Sequence, residues 1–162
     1  MKKNEKTLTK SIATLSPLFL DILNSGSRVK LTITGNSMYP LLRTSIDSVI
    51  IKKKSTISKY DIILYKRENG EYILHRVVGI KEDGAMVLAG DFETVTEYPV
   101  YPKQVIATVE SIFRKGKHIS CNNPLYKIYS FLWVLFMPNR FIIVKILKGL
   151  RSALSGQRWK SL

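Results

Sequence analysis

Cysteine is almost absent from this chain of 162 residues: Cys121 stands alone, so no disulfide framework holds the fold. Only two histidines occur, His75 and His118, far from each other and from the cysteine, so no metal-ligand cluster is expected. No glycine-rich phosphate loop, dinucleotide fingerprint or internal repeat is present, and no cofactor is expected. Acidic residues are scarce, 12 against 26 Lys and Arg, for a net charge of +14. No apolar run reaches the ~20 residues of a spanning helix. The first ten residues are polar and charged and do not read as a signal peptide.

The positive charge is uneven. Ser111–Leu162 holds ten Lys or Arg and no Asp or Glu, and the first ten residues hold four lysines against one glutamate. Ile128–Met137 is apolar, Pro138-Asn139-Arg140 interrupts, and Phe141–Leu150 resumes. Helical spacing in the second half puts Lys145, Lys148 and Ser152 on one face. This pattern predicts a basic, apolar helical segment at a membrane interface through residues 128–151, with Tyr129 and Trp133 in the headgroup zone. A helix pair covering the protein's own open sheet or a dimer partner is the alternative. Nucleic acid is not an expected partner, because aromatic residues do not interleave with the basic ones as a stacking platform would.

Ile12, Leu15, Phe19, Ile22 and Leu23 recur at helical spacing within Thr9–Asn24, with Ser16-Pro17 as a start or break. The middle of the chain reads as strands: 29–33, 48–51, 61–66, 72–80, 86–88 and 105–113. Turn signals at Glu68-Asn69-Gly70-Glu71 and Glu82-Asp83-Gly84-Ala85 join them as hairpins. The expected fold is mostly β: a coiled, antiparallel, barrel-like domain over 29–120. A short N-terminal helical segment (1–28) precedes it, and a C-terminal apolar helical segment (121–162) follows.

Three pieces carry chemistry. Gly35-Asn36-Ser37-Met38-Tyr39-Pro40 presents a serine on a turn at a strand end. A serine hydroxyl is a poor nucleophile until a neighbour takes its proton. His75, inside the strand pattern Tyr72–Val78, has the side chain whose ordinary pKa of about 6.5 suits a general base. Ala89-Gly90-Asp91-Phe92 places a carboxylate after another apolar strand. Ser37, His75 and Asp91 match a nucleophile, base and orienting acid by type. Ser37 N–H and Asn36 are candidate oxyanion donors, and Met38 is either a substrate contact or core. Arg76 alternates to the other strand face from His75 and is expected in a structural ion pair.

The order of these boxes, with Tyr60-Asp61-Ile62-Ile63-Leu64-Tyr65 and His75-Arg76-Val77, resembles type I signal peptidases and their LexA-like relatives, over about residues 29–113. The resemblance implies that Ser37 attacks the scissile carbonyl. His75, followed by Arg-Val, is similar to the base of the endoplasmic-reticulum type, where bacterial relatives use lysine. The acid is implied in or just after the Gly-Asp box, at Asp91 or alternatively Glu97. An N-terminal membrane anchor usual in the family is not seen, which suggests a dedicated leader-peptide peptidase docked through its C-terminus. Small residues beside the cleavage site are implied. A LexA-type self-cleaving regulator would need a lysine base and a DNA-binding domain, and only about 28 residues precede the first strand. A catalytically inert membrane- or peptide-binding module is the third reading.

Overall fold

A computed structural model describes residues 7–8, 17–137, 142, 146 and 149. β-Branched and aliphatic residues build its strands: β1 (Thr7–Leu8), β2 (Val29–Thr32), β3 (Ser48–Lys52), β4 (Ile62–Lys66), β5 (Tyr72–Ile80), β6 (Met86–Ala89), β7 (Glu97–Val100), β8 (Val105–Arg114) and β9 (Lys117–Ser120). Two helices flank them, α1 (Pro17–Asn24) and α2 (Pro124–Leu135). The helix expected over Thr9–Asn24 is described only from Pro17, which suits a first helical turn because its missing N–H costs no bond there. Asn123 caps α2 by accepting from Leu125 N at 2.9 Å.

The strands form one sheet in the order β1-β2-β3-β8-β4-β5-β6-β7, with β9 against β8. Every pairing is antiparallel except β1 with β2. The sheet is open, so the barrel-like closure expected from the strand pattern is not formed among the described residues. Register shifts within the β3–β8, β4–β8, β5–β6 and β6–β7 pairs bend it instead. Both expected hairpins occur, with Leu64 opposite Leu74 in one and Arg76 opposite Ala89 in the other.

Burial divides between two clusters. The larger gathers Phe19, Leu23, Leu31, Met38, Leu42, Val49, Ile62, Leu64 and Ile112. The smaller gathers Ile63, Tyr65, Val77, Met86, Leu88 and Val100. β4 contributes alternate residues to each, as the two-residue period of a strand requires.

α2 is held by one buried cation. Arg76, fully buried on β5, pairs both of its outer donors with Asp91, Nε to Oδ1 at 2.8 Å and Nη2 to Oδ2 at 2.7 Å. Its remaining nitrogen donates to Tyr60 O at 3.2 Å and to Ser130 Oγ of α2 at 2.9 Å. The rings of Tyr126 and Tyr129 face the guanidinium from 6.0 and 5.9 Å. The structural ion pair expected of Arg76 is therefore present.

α2 is also inverted relative to an ordinary surface helix. Tyr126 and Ser130 are buried, and Tyr129 stacks on Trp133 with centroids 5.7 Å apart. The Tyr129 hydroxyl and Trp133 indole N–H are buried, and the Tyr129 ring faces the Arg76 guanidinium of the domain. Leu125, Ile128, Phe131, Leu132, Leu135 and Phe136 are exposed instead. The described residues of the following segment, Ile142 and Ile146, are exposed as well. The face expected of Lys145, Lys148 and Ser152 lies outside the described residues. No helix among the described residues is long and apolar enough to cross a membrane.

Candidate active site

The Ser37 turn is pinned on every side. Gly35, at φ +88°, bends the chain out of β2, and its N–H donates to Thr44 Oγ1 at 3.1 Å. Tyr39 N–H donates to Asn36 O and Leu42 N–H to Met38 O, at 3.0 and 2.9 Å. Arg114 Nη1 donates to Pro40 O and Leu41 O at 2.5 and 2.6 Å. Arg43 and Asp47 close the far end of the loop with an ion pair at 2.7 Å. From the other side Phe92 N–H donates to Ser37 O at 2.7 Å, and the Phe92 ring meets Tyr39 edge-on at 5.2 Å.

Gly90 explains why the Gly-Asp box lies here. A Cβ on Gly90 would stand 2.7 Å from Ser37 O and 3.0 Å from both Ser37 Cβ and the Glu93 carboxyl carbon. Only a residue without a side chain allows this approach.

Ser37, half-buried, and His75, 1% exposed, line one cleft of about 320 Å³ together with Asn36, Arg67 and Glu93. Ser37 Oγ makes no hydrogen bond among the described residues, and its N–H likewise has no described acceptor. Both atoms are thus available to a substrate carbonyl, one as attacking group and one as oxyanion donor.

The imidazole is flanked by acids on both nitrogens. Nδ1 stands 3.3 Å from Glu97 Oε1 and 3.3 Å from the Tyr65 hydroxyl. Nε2 stands 3.4 Å from Glu93 Oε2. Burial pulls the His75 pKa below its ordinary value, and the attraction of Glu93 and Glu97 for the imidazolium does not overcome it. The ring is therefore neutral at working pH, the form a general base needs. Burial pushes the Glu97 carboxyl upward, yet the bidentate Arg67 guanidinium and the Tyr65 hydroxyl outweigh it and keep Glu97 ionised. Arg67 also holds Glu71 at 2.9 Å. Tyr65 is raised well above its ordinary range, first by burial and then by Glu97, and stays protonated.

The expected acid needs correction. Asp91 does not orient His75 in this geometry, because both of its oxygens are taken by Arg76 on the opposite face of β5. The acid at Nδ1 is Glu97, named from sequence only as the alternative. Met38 is 1% exposed within the main core, which makes it chiefly a packing residue, although its edge lines the cleft. Asn36 lines the same cleft.

Tyr65, Arg67 and Glu93 were not identified from sequence. Tyr65 carried a signal, since it falls on the same strand face as Ile63, which pairs with His75. Arg67 and Glu93 carried none: Arg67, just past β4, meets Glu97 of β7, and Glu93, in the loop between β6 and β7, meets His75 of β5. No group of acids, histidines and cysteine among the described residues could hold a metal ion. No family model matches the chain, and no curated protein matches it.

Proposed function

We propose that this chain is a serine endopeptidase of the signal peptidase I type that removes a leader or signal-like segment from a peptide or preprotein at a membrane surface. The observation that carries the reading is the shared cleft, lined by Ser37 and by an uncharged, buried His75 whose Nδ1 meets ionised Glu97. In this mechanism Ser37 Oγ attacks the substrate carbonyl carbon while His75 takes its proton. Glu97 fixes the tautomer and stabilises the imidazolium, and Ser37 N–H with Asn36 receives the oxyanion. The leaving amine then takes the proton from His75, and water, deprotonated by His75, hydrolyses the acyl-serine ester.

The sheet suits an extended substrate. β7, which carries Glu97, is a terminal strand. An added peptide strand there would gain main-chain bonds and reach the cleft with its side chains.

The test is covalent labelling with a serine-reactive boronate or penem probe in detergent, read by intact mass. Wild type is expected to gain one probe mass, and Ser37→Ala and His75→Ala none. Labelling that survives Ser37→Ala would overturn the assignment. A second reading, an inert peptide-binding module, is favoured by Glu93 standing at Nε2 with no hydrogen bond from Ser37 to His75. It predicts no labelling of any form.

A further inference from the structure

A second cavity, of about 610 Å³, opens between α2 and the β3–β4 region. Five lysines line it: Lys52, Lys53, Lys54, Lys59 and Lys127. Its two carboxylates are already neutralised, Asp61 by Lys54 at 2.6 Å and Glu110 by Arg28. Lys52, Lys53, Lys59 and Lys127 have no carboxylate partner among the described residues. Four lysines without a carboxylate of their own thus line one hollow, Lys59 lying over the Tyr60 ring at 5.3 Å, and an anion entering it would meet an excess of positive charge.

The hollow is continuous with an apolar face. At about 100° per residue, the exposed Leu125, Ile128, Phe131, Leu132, Leu135 and Phe136 fill an arc of about 140° on α2. Lys127 borders that arc, and Phe131 belongs both to the arc and to the cavity wall. Phe131 also packs edge-on against Tyr60, with ring centroids 6.1 Å apart. Tyr60 is held at φ +79° by Val77 O accepting from its N–H and by Arg76 donating to its carbonyl. The cavity wall is therefore a fixed structure rather than a solvated loop.

We propose that this cavity receives the phosphate headgroup of an anionic membrane lipid, while the apolar face of α2 lies against the acyl chains of the same leaflet. Charge and apolar surface sit side by side as a lipid presents them: phosphate outermost, hydrocarbon beneath. A soluble anion would account for the lysines but not for the adjoining stripe, and a neutral membrane would account for the stripe but not for the lysines. The inference rests on the membrane part of the reading above and is independent of the chemistry at Ser37.

The test is sedimentation of the full chain with vesicles of phosphatidylcholine, alone or mixed with phosphatidylglycerol. Wild type is expected to bind the mixed vesicles at least about tenfold more tightly, with the difference shrinking as salt rises. Lys53→Gln and Lys127→Gln should each weaken binding to mixed vesicles about fivefold and leave binding to phosphatidylcholine unchanged. Ile128→Ser with Leu132→Ser should weaken both. Lysine variants that bind mixed vesicles as wild type does would overturn the headgroup site and leave the membrane reading intact. Glycerol 3-phosphate binding that depends on Lys53 and Lys127, without any vesicle binding, would reassign the cavity to a free phosphate ester. No binding to any vesicle would overturn the membrane reading itself, while probe labelling of Ser37 in detergent would still report the peptidase reading separately.

Discussion

Asp91→Asn separates a structural carboxylate from a catalytic one. Asp91 and Arg76 are both fully buried, and two short bonds join them. Burial works against the Arg76 charge, but Asp91 outweighs it and holds the guanidinium firmly protonated. The variant therefore leaves a cation in the interior with no counter-charge. Removing one member of a buried pair costs about 3–5 kcal/mol. Against a total stability of about 5–15 kcal/mol this is a large fraction. A domain of this size loses about 2–4 °C of Tm per kcal/mol, so a fall of roughly 6–20 °C is expected by circular dichroism. Because Arg76 also bonds Ser130 of α2, hydrogen exchange in α2 should accelerate with it.

Adding Arg76→Met should cost less than the sum of the single changes, with a coupling of about 0.5–3 kcal/mol, since the orphaned charge is then gone. Below the new transition, folded Asp91→Asn should still label at Ser37 at close to the wild-type rate. A variant as stable as wild type but unable to label would refute the structural assignment and return Asp91 to the catalytic site.

Glu97→Gln should behave oppositely: small loss of stability, because the amide still accepts from Arg67, but labelling slowed about a hundredfold or more, measured on folded protein. Labelling should follow neutral His75, half-maximal below about pH 6.5 and flat above pH 7; a midpoint above 7 in the pH–rate profile would show that the flanking acids, not burial, dominate. The same depressed pKa has a stability consequence, since the unfolded chain binds the proton more readily: the His75 contribution is whole above about pH 6.5 and is lost as pH falls through the folded value, which urea titrations across that window should show. Gly90→Ala should cost about 1–3 kcal/mol in chemical denaturation and slow labelling, because its Cβ would meet Ser37 O at 2.7 Å; unchanged labelling would show that the turn yields freely.

The elements that follow a local pattern were legible. β5 begins and ends where its apolar run does, and the Asn69-Gly70 hairpin has Gly70 at φ +91°. α2, Pro124–Leu135, falls within the helical segment expected over 121–162. Less legible were β7 and β9. β7 reads Glu97-Tyr98-Pro99-Val100, and a proline within four residues hides a strand that sits at a sheet edge. The site divided in the same way. Ser37 and His75 stand in local contexts, a turn and a strand, that declare a presented hydroxyl and an imidazole. The acid does not, because choosing Asp91 or Glu97 depends on which face of β5 each carboxylate reaches once β6 and β7 have paired beside it in the sheet. The alternation rule already placed Arg76 opposite His75. What it lacked was a partner for Arg76, and once Asp91 fills that role only Glu97 and Glu93 remain within reach of the imidazole.

Adjacent residues on β5 thus serve opposite faces of one strand. His75 looks into the Ser37 cleft, between Glu93 and Glu97, while Arg76 looks back toward Asp91 and α2. The Asp91 backbone belongs to the same short stretch in which Gly90 touches Ser37 and Phe92 bonds its carbonyl. The Arg76–Asp91 pair therefore ties three things together: the strand that aims the imidazole, the turn that aims the hydroxyl, and the helix that shows its apolar stripe to the surroundings. Because the pair is buried and bidentate, tilting α2 would strain the β5 and Gly90 contacts rather than dissipate in a loop. On this arrangement the proposed lipid-facing surface and the proposed peptidase site share one rigid support. The orientation of the cleft relative to a membrane would then be set by α2, through Arg76.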